Sequence, residues 1–181
     1  LPFEDSTGTD DWTNAAKPEN QDAWYNALPK LMHAPTVGEL GLTNPAGLYY
    51  DSHPLFIPGA PYPSAAKRVG SPAFAVGMNS RLQRKSEDGV KKPGRFEQIQ
   101  EPAKTVVLLE RGPPNDKKTM PAQRGFDGSP KANARAFAAR HNQKGCLIFA
   151  DGHAELHLAS DLINAGGGII FPQTGIVWTL N

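Results

Sequence analysis

Between Asp22 and Met32 apolar residues recur at Ala23, Trp24, Ala27, Leu28 and Leu31, the stripe of one helical face. Asp22 supplies a capping side chain for that helix, and Pro29 inside the stripe breaks or tightens it. Elsewhere the pattern is that of strands. Phe74 to Met78 reads as one strand. Thr105-Val106-Val107-Leu108-Leu109, β-branched and apolar throughout, reads as a central strand buried on both faces. Cys146 to Ala150 and His153 to His157 flank Asp151-Gly152, the dipeptide of a two-residue type I′ hairpin in which both turn positions take positive φ. In that register Leu147, Phe149, Ala154, Leu156 and Leu158 share a buried face, with Leu147 opposite Leu156 and Phe149 opposite Ala154. Cys146, Ile148, His153, Glu155 and His157 share the other face. A short helix from Ser160 to Ala165, capped by Ser160 and ended by Gly166-Gly167-Gly168, follows, then a terminal strand near Gly175 to Leu180.

The segments between these elements read as loops. Residues 1–20 are polar and acidic, an irregular lead-in. Residues 35–72 carry seven prolines, from Pro35 to Pro72, and are expected as a surface excursion with one extended piece around Leu48 to Tyr50. Arg84 to Gly94 and Gly112 to Gly128 read as further loops, and the alanine-rich run from Ala132 to Arg140 as helical or extended. With 181 residues, one domain is expected. The 18 glycines and 17 prolines punctuate the chain too often for long helices or a large parallel sheet. The fold class that emerges is α+β, a loop-rich head over residues 1–181 built on an antiparallel sheet with the Asp-Gly hairpin.

Charge and cysteine content narrow the function classes. Lysine and arginine number 19 against 18 aspartate and glutamate, so a net charge of +1 gives no electrostatic case for nucleic acid or for an anionic membrane surface. Lys91-Lys92 and Lys117-Lys118 are too short as basic runs to change that. The single cysteine, Cys146, allows no internal disulfide and no multi-cysteine zinc site, and reads as a half-buried structural thiol. No apolar run reaches the 18 to 20 residues that a membrane-spanning helix needs. Leu1-Pro2 without an initiator methionine suggests that an N-terminal portion has been removed.

Two clusters have chemistry to weigh. His153, Glu155 and His157 alternate along one strand, a spacing that can present two imidazoles and a carboxylate to zinc or another divalent ion, with His141 as a fourth ligand. The same alternation is what the polar, solvated face of any hairpin looks like. Asp5, Asp10 and Asp11 suggest calcium, but their spacing is not that of an EF-hand loop, and acidic lead-ins are commonly just solvated. Nothing of the H-E-x-x-H type is present.

His141 is followed by nine residues and then Asp151-Gly152, which resembles the signature of the prepilin-type H-x(9)-D-G family. Asp22-Ala23-Trp24-Tyr25, Gly77-Met78-Asn79-Ser80 and Pro102-Ala103-Lys104-Thr105-Val106 fit the same family in the same order. The resemblance implies the head of a type IV pilin-like or type II secretion pseudopilin-like subunit. Such a head is anchored in the inner membrane before assembly, lies in the periplasm or at the cell surface, and acts by packing with other pilin-like subunits rather than by catalysis. It also implies calcium as a possible ligand. The chain departs from the family in lacking the leader and the long apolar spine helix, and in having Pro54-Leu55-Phe56-Ile57-Pro58 where relatives carry Cys-Pro. Under this reading His141, Asp151 and Gly152 are architectural: His141 bonds the Asp151 carboxylate or the turn backbone. The alternatives are a secreted metal-binding protein or metal-dependent hydrolase using His141, His153, Glu155 and His157, and an adhesin or ligand-binding head.

Overall fold

Five strands form one sheet in the order β5-β1-β4-β6-β7, with β1 at Val76–Asn79, β4 at Val106–Glu110, β5 at Lys131–Ala132, β6 at Lys144–Phe149 and β7 at Ala154–Leu158. All neighbours are antiparallel except the short β1–β5 pair, so the sheet is mostly antiparallel and the class is α+β. The computed structural model describes residues 11–43, 45–62, 64, 72–85, 87, 91, 92, 94–112, 129–166, 168–171, 173 and 175–180. Of the expected loops at 1–20, 35–72 and 112–128, the parts at 1–10, 65–71 and 113–128 lie outside them.

β4 is central, as its composition requires, and it serves two cores. Its pairing with β6 shifts register between Val106 and Leu108. That bulge puts Val106 and Leu109 on one face, packed with Leu147, Phe149, Phe137, Leu162 and Trp178, while Val107 and Leu108 pack on the opposite face against Trp24, Phe74 and Met78. Strict alternation could not divide four consecutive apolar residues two and two in this way.

Among the described residues, four short helices cover the second face: α1 (Trp12–Ala15), α2 (Trp24–Leu31), α3 (Val37–Gly41) and α4 (Pro45–Ser52). Asp11 caps α1, its Oδ1 accepting from Asn14 N at 2.8 Å. Thr36 and Glu39 form a capping box on α3. The lead-in is therefore packed from residue 11 onward: Trp12 is buried edge-on against Tyr49 and Tyr50. The proline-rich stretch likewise is not a plain excursion. Leu48 to Tyr50 is helical rather than extended, and Pro45 stands at the first helical position, where a missing N–H costs nothing. Asp22 does not cap α2; Ala23 occupies that position without a side-chain bond. The last turn tightens after Pro29, with Met32 N donating to Pro29 O at 2.9 Å and His33 at φ 55°.

Buried polar side chains tie these layers together. Asn26 Nδ2 donates to Ala15 O and Asn20 O, and its Oδ1 accepts from Gly38 N, each at 2.8 Å, so one amide joins three segments around α2. Trp24 Nε1 donates to Pro130 O at 2.9 Å, and Asn79 Nδ2 bridges Val106 O and Trp178 O. Arg84–Lys85 (β2) and Lys91–Lys92 (β3) form a separate two-stranded ribbon where a loop was expected. Ala132 to Arg140 is mixed, the end of β5 followed by a 3-10 turn over Ala134–Ala136. The helix after β7 is Ala159–Leu162 (α5), one residue earlier than expected and without a Ser160 cap. The C-terminal strand is reduced to one bridge, Thr105 to Val177.

Candidate functional site

The His141 to His157 region folds as two consecutive hairpins at the sheet edge. The first is one that the sequence did not signal. His141 N donates to Lys144 O at 2.8 Å and Lys144 N to His141 O at 3.1 Å, with Asn142 at φ 52° and Gln143 at φ 65°. A two-residue turn with both central residues at positive φ is the I′ pattern, placed here rather than at Asp151-Gly152. Gly145 follows because no side chain fits: a Cβ there would lie 2.0 Å from Ala138 O, where the chain crosses β6 to pair Phe137 with Arg111.

The second hairpin has a three-residue loop. Phe149 N donates to His153 O at 2.9 Å and Gly152 N to Phe149 O at 3.0 Å, and Gly152 alone of the loop has positive φ, at 95°. This is a turn closed by a left-handed glycine. Ala150 cannot serve as the last strand residue of a two-residue loop because its N–H is given to Thr105 O, at 2.9 Å, on the neighbouring strand. Asp151 Oδ1 accepts from both His153 N, at 3.2 Å, and His153 Nδ1, at 2.6 Å. The His153 ring bond, then the His153 backbone bond, hold the Asp151 carboxyl below its usual range.

The extra loop residue slips the register by one and reverses the faces of β7. Observed partners are Cys146 with Leu156, Leu147 with Glu155 and Ile148 with Ala154. Leu147 and Phe149 are buried as expected. Ala154, Leu156 and Leu158 are not their neighbours but lie on the opposite face with Cys146 and Ile148, and Leu156 is 55% and Leu158 37% exposed. His153, Glu155 and His157 move to the Leu147–Phe149 side, where the Phe149 ring stacks on His153 at 4.4 Å.

His141 does not reach Asp151. Its Nε2 donates to Glu110 Oε1 at 3.0 Å, while Glu110 Oε2 accepts from Cys146 N at 2.8 Å. Glu110 is 5% exposed and lies 3.6 Å from Arg140 Nη1. The carboxylate thus bonds the β6 backbone where the Leu109–Leu147 pairing ends. Sequence reasoning missed Glu110; its one signal is a charge closing an apolar strand. Cys146 is a free, half-buried thiol whose pKa is pushed up by burial and by Glu110, unsuited to nucleophilic work.

As a metal site the four candidates separate. Glu155 Oε2 takes His157 Nε2 at 3.1 Å, and Glu155 Oε1 lies 3.5 Å from His153 Nε2, while His141 is engaged by Glu110. Among the described residues no group of three or more His, Cys, Asp or Glu is arranged to hold a metal ion. Of the acidic lead-in, Asp5 and Asp10 lie outside the described residues and Asp11 is occupied as a helix cap. No described helix is long and apolar enough to cross a membrane. Comparison with family models, with curated proteins and with solved structures returns no match.

Proposed function

We propose that the chain is the globular, pilin-like head of a type IV pilus-like or type II secretion pseudopilus subunit, working by self-assembly rather than catalysis. In this reading an N-terminal helix anchors it in the inner membrane before assembly, with the head in the periplasm or at the cell surface. The observation that carries the reading is the apolar strip of Ile148, Ala154, Leu156 and Leu158. On this face of the sheet the β1–β4 half lies under the helix layer, and the β6–β7 half has Leu156 and Leu158 exposed. A helix laid beside the existing layer would complete it, gaining about 2 kcal/mol for each leucine it buries. The His141-x(9)-Asp151-Gly152 signature supports the same reading in a second way, since its residues build the two hairpins that present the strip.

Two measurements test this. The encoded sequence upstream of Leu1 is expected to hold a basic leader and about 20 apolar residues; an initiator methionine directly before Leu1 would end the proposal. Leu156→Asp with Leu158→Asp is expected to leave unfolding of residues 1–181 nearly unchanged, since both leucines are exposed there, and to abolish filament formation by the complete protein. Assembly at the parent level would equally overturn it.

A further inference from the structure

On the other face of the sheet, Ile169, Phe171, Gln173 and Ile176 to Thr179, with Arg81 and Ala134 from the 3-10 turns at Ser80–Leu82 and Ala134–Ala136, line a cleft of about 300 Å³. That is the lower end of the range for small-molecule sites. Ile169, Phe171, Ile176 and Trp178 give it apolar walls, and Phe171, 70% exposed, stands at its mouth. Gln173 is already committed: its Nε2 donates to Leu162 O at 3.0 Å and its Oε1 accepts from Trp178 Nε1, which fixes the indole as a wall. Among the described residues Arg81 is the one charged side chain lining the cleft, and no carboxylate of theirs pairs with its guanidinium.

We propose that this cleft binds an amphipathic carboxylate, its apolar chain against Ile169, Ile176 and Trp178 and its carboxylate on the Arg81 guanidinium. Apolar walls exclude a highly charged ligand such as a nucleotide, whose desolvation nothing here would offset. A single planar cation with no acidic neighbour in the described wall selects an anion over an amine or a neutral chain, and the guanidinium fork matches a carboxylate bidentately. The site stands apart from the β6–β7 strip and does not depend on the pilin-like reading.

The test is titration of the protein with octanoate, 1-octanol and octylammonium, followed by calorimetry and by Trp178 emission. Trp12 and Trp24 lie in the other core and should stay silent. Octanoate is expected to bind saturably and at least about tenfold more tightly than octylammonium, and Arg81→Gln to remove about tenfold of octanoate affinity while leaving octanol unchanged. Ile176→Trp, which fills the cleft, should abolish binding of both. No saturable octanoate binding, equal affinity for the ammonium, or unchanged binding by either variant would overturn the proposal.

Discussion

The Phe149 ring and the His153 imidazole lie parallel, 1° apart, with 4.4 Å between their centroids. They meet because Phe149 and His153 close the three-residue loop as a pair; a two-residue loop would have set Phe149 opposite Ala154. The stacked pair and the Asp151 bonds to His153 thus hold the register that exposes Leu156 and Leu158.

The two turns make opposite predictions for the same substitution. Gln143 sits at φ 65°, where a non-glycine residue costs about 1–2 kcal/mol, so Gln143→Gly should stabilise the protein by about 1 kcal/mol. Asp151 has no positive φ and bonds His153, so Asp151→Gly should lower the melting temperature. A rise for Asp151→Gly in thermal unfolding would mean that the loop has two residues after all.

Glu110 is the buried anchor of the signature. Glu110→Gln leaves Arg140 and the β6 backbone without their carboxylate and is expected to cost about 3 kcal/mol in urea denaturation. His141→Ala, at a ring 53% exposed, should cost about 1 kcal/mol or less. Equal losses from the two would contradict the assignment of Glu110 as the inner partner.

Asn26→Ala should destabilise by about 3 kcal/mol, because it orphans the Ala15 carbonyl and the Gly38 N–H in a buried setting and leaves Asn20 O with the bond from Ala23 N alone. Asn26→Asp keeps the bond from Gly38 N but supplies no donor to Ala15 O or Asn20 O, and is expected to be no better. Chemical denaturation of both variants, read against the parent midpoint, checks this.

His53 predicts a pH dependence. Its Nε2–H donates to Pro35 O at 2.8 Å and its Nδ1 accepts from Leu55 N at 3.2 Å, which is a neutral ring. Burial depresses its pKa, against the opposing pull of the Pro35 bond. Between the depressed folded value and the unfolded value of about 6.5, the unfolded chain binds the extra proton, so stability rises with pH across that window. This contribution is present in full above about 6.5 and is lost as pH falls through the folded value. Unfolding midpoints measured from pH 5 to 8 should show this slope in the parent and a shallower one in His53→Gln.

Local pattern carried the sequence reading where contacts are local. The Val106 to Leu109 run is a central strand because four apolar residues in a row have no solvent face, and the α2 stripe found its helix. Proline count misled at Pro45, since position within a helix decides its cost. The hairpin register depended on a bond from Ala150 to Thr105, forty-five positions away in sequence, which no dipeptide preference at Asp151-Gly152 reports. Asn26 and Glu110 are ordinary polar residues in sequence, and only the surrounding backbone makes them structural.

The bulge in β4 has a consequence for the order of folding. Because Val107 and Leu108 complete the helix-side core and Val106 and Leu109 the other, neither core can close until β4 has been made, more than a hundred residues into synthesis. The aromatic cluster of Trp12, Trp24, Tyr49 and Phe74 must wait in the nascent chain, and the second core waits longer, for Trp178. A folding rate set by such distant partners should be slow for a chain of this size, and a prematurely truncated chain should present its aromatics to chaperones.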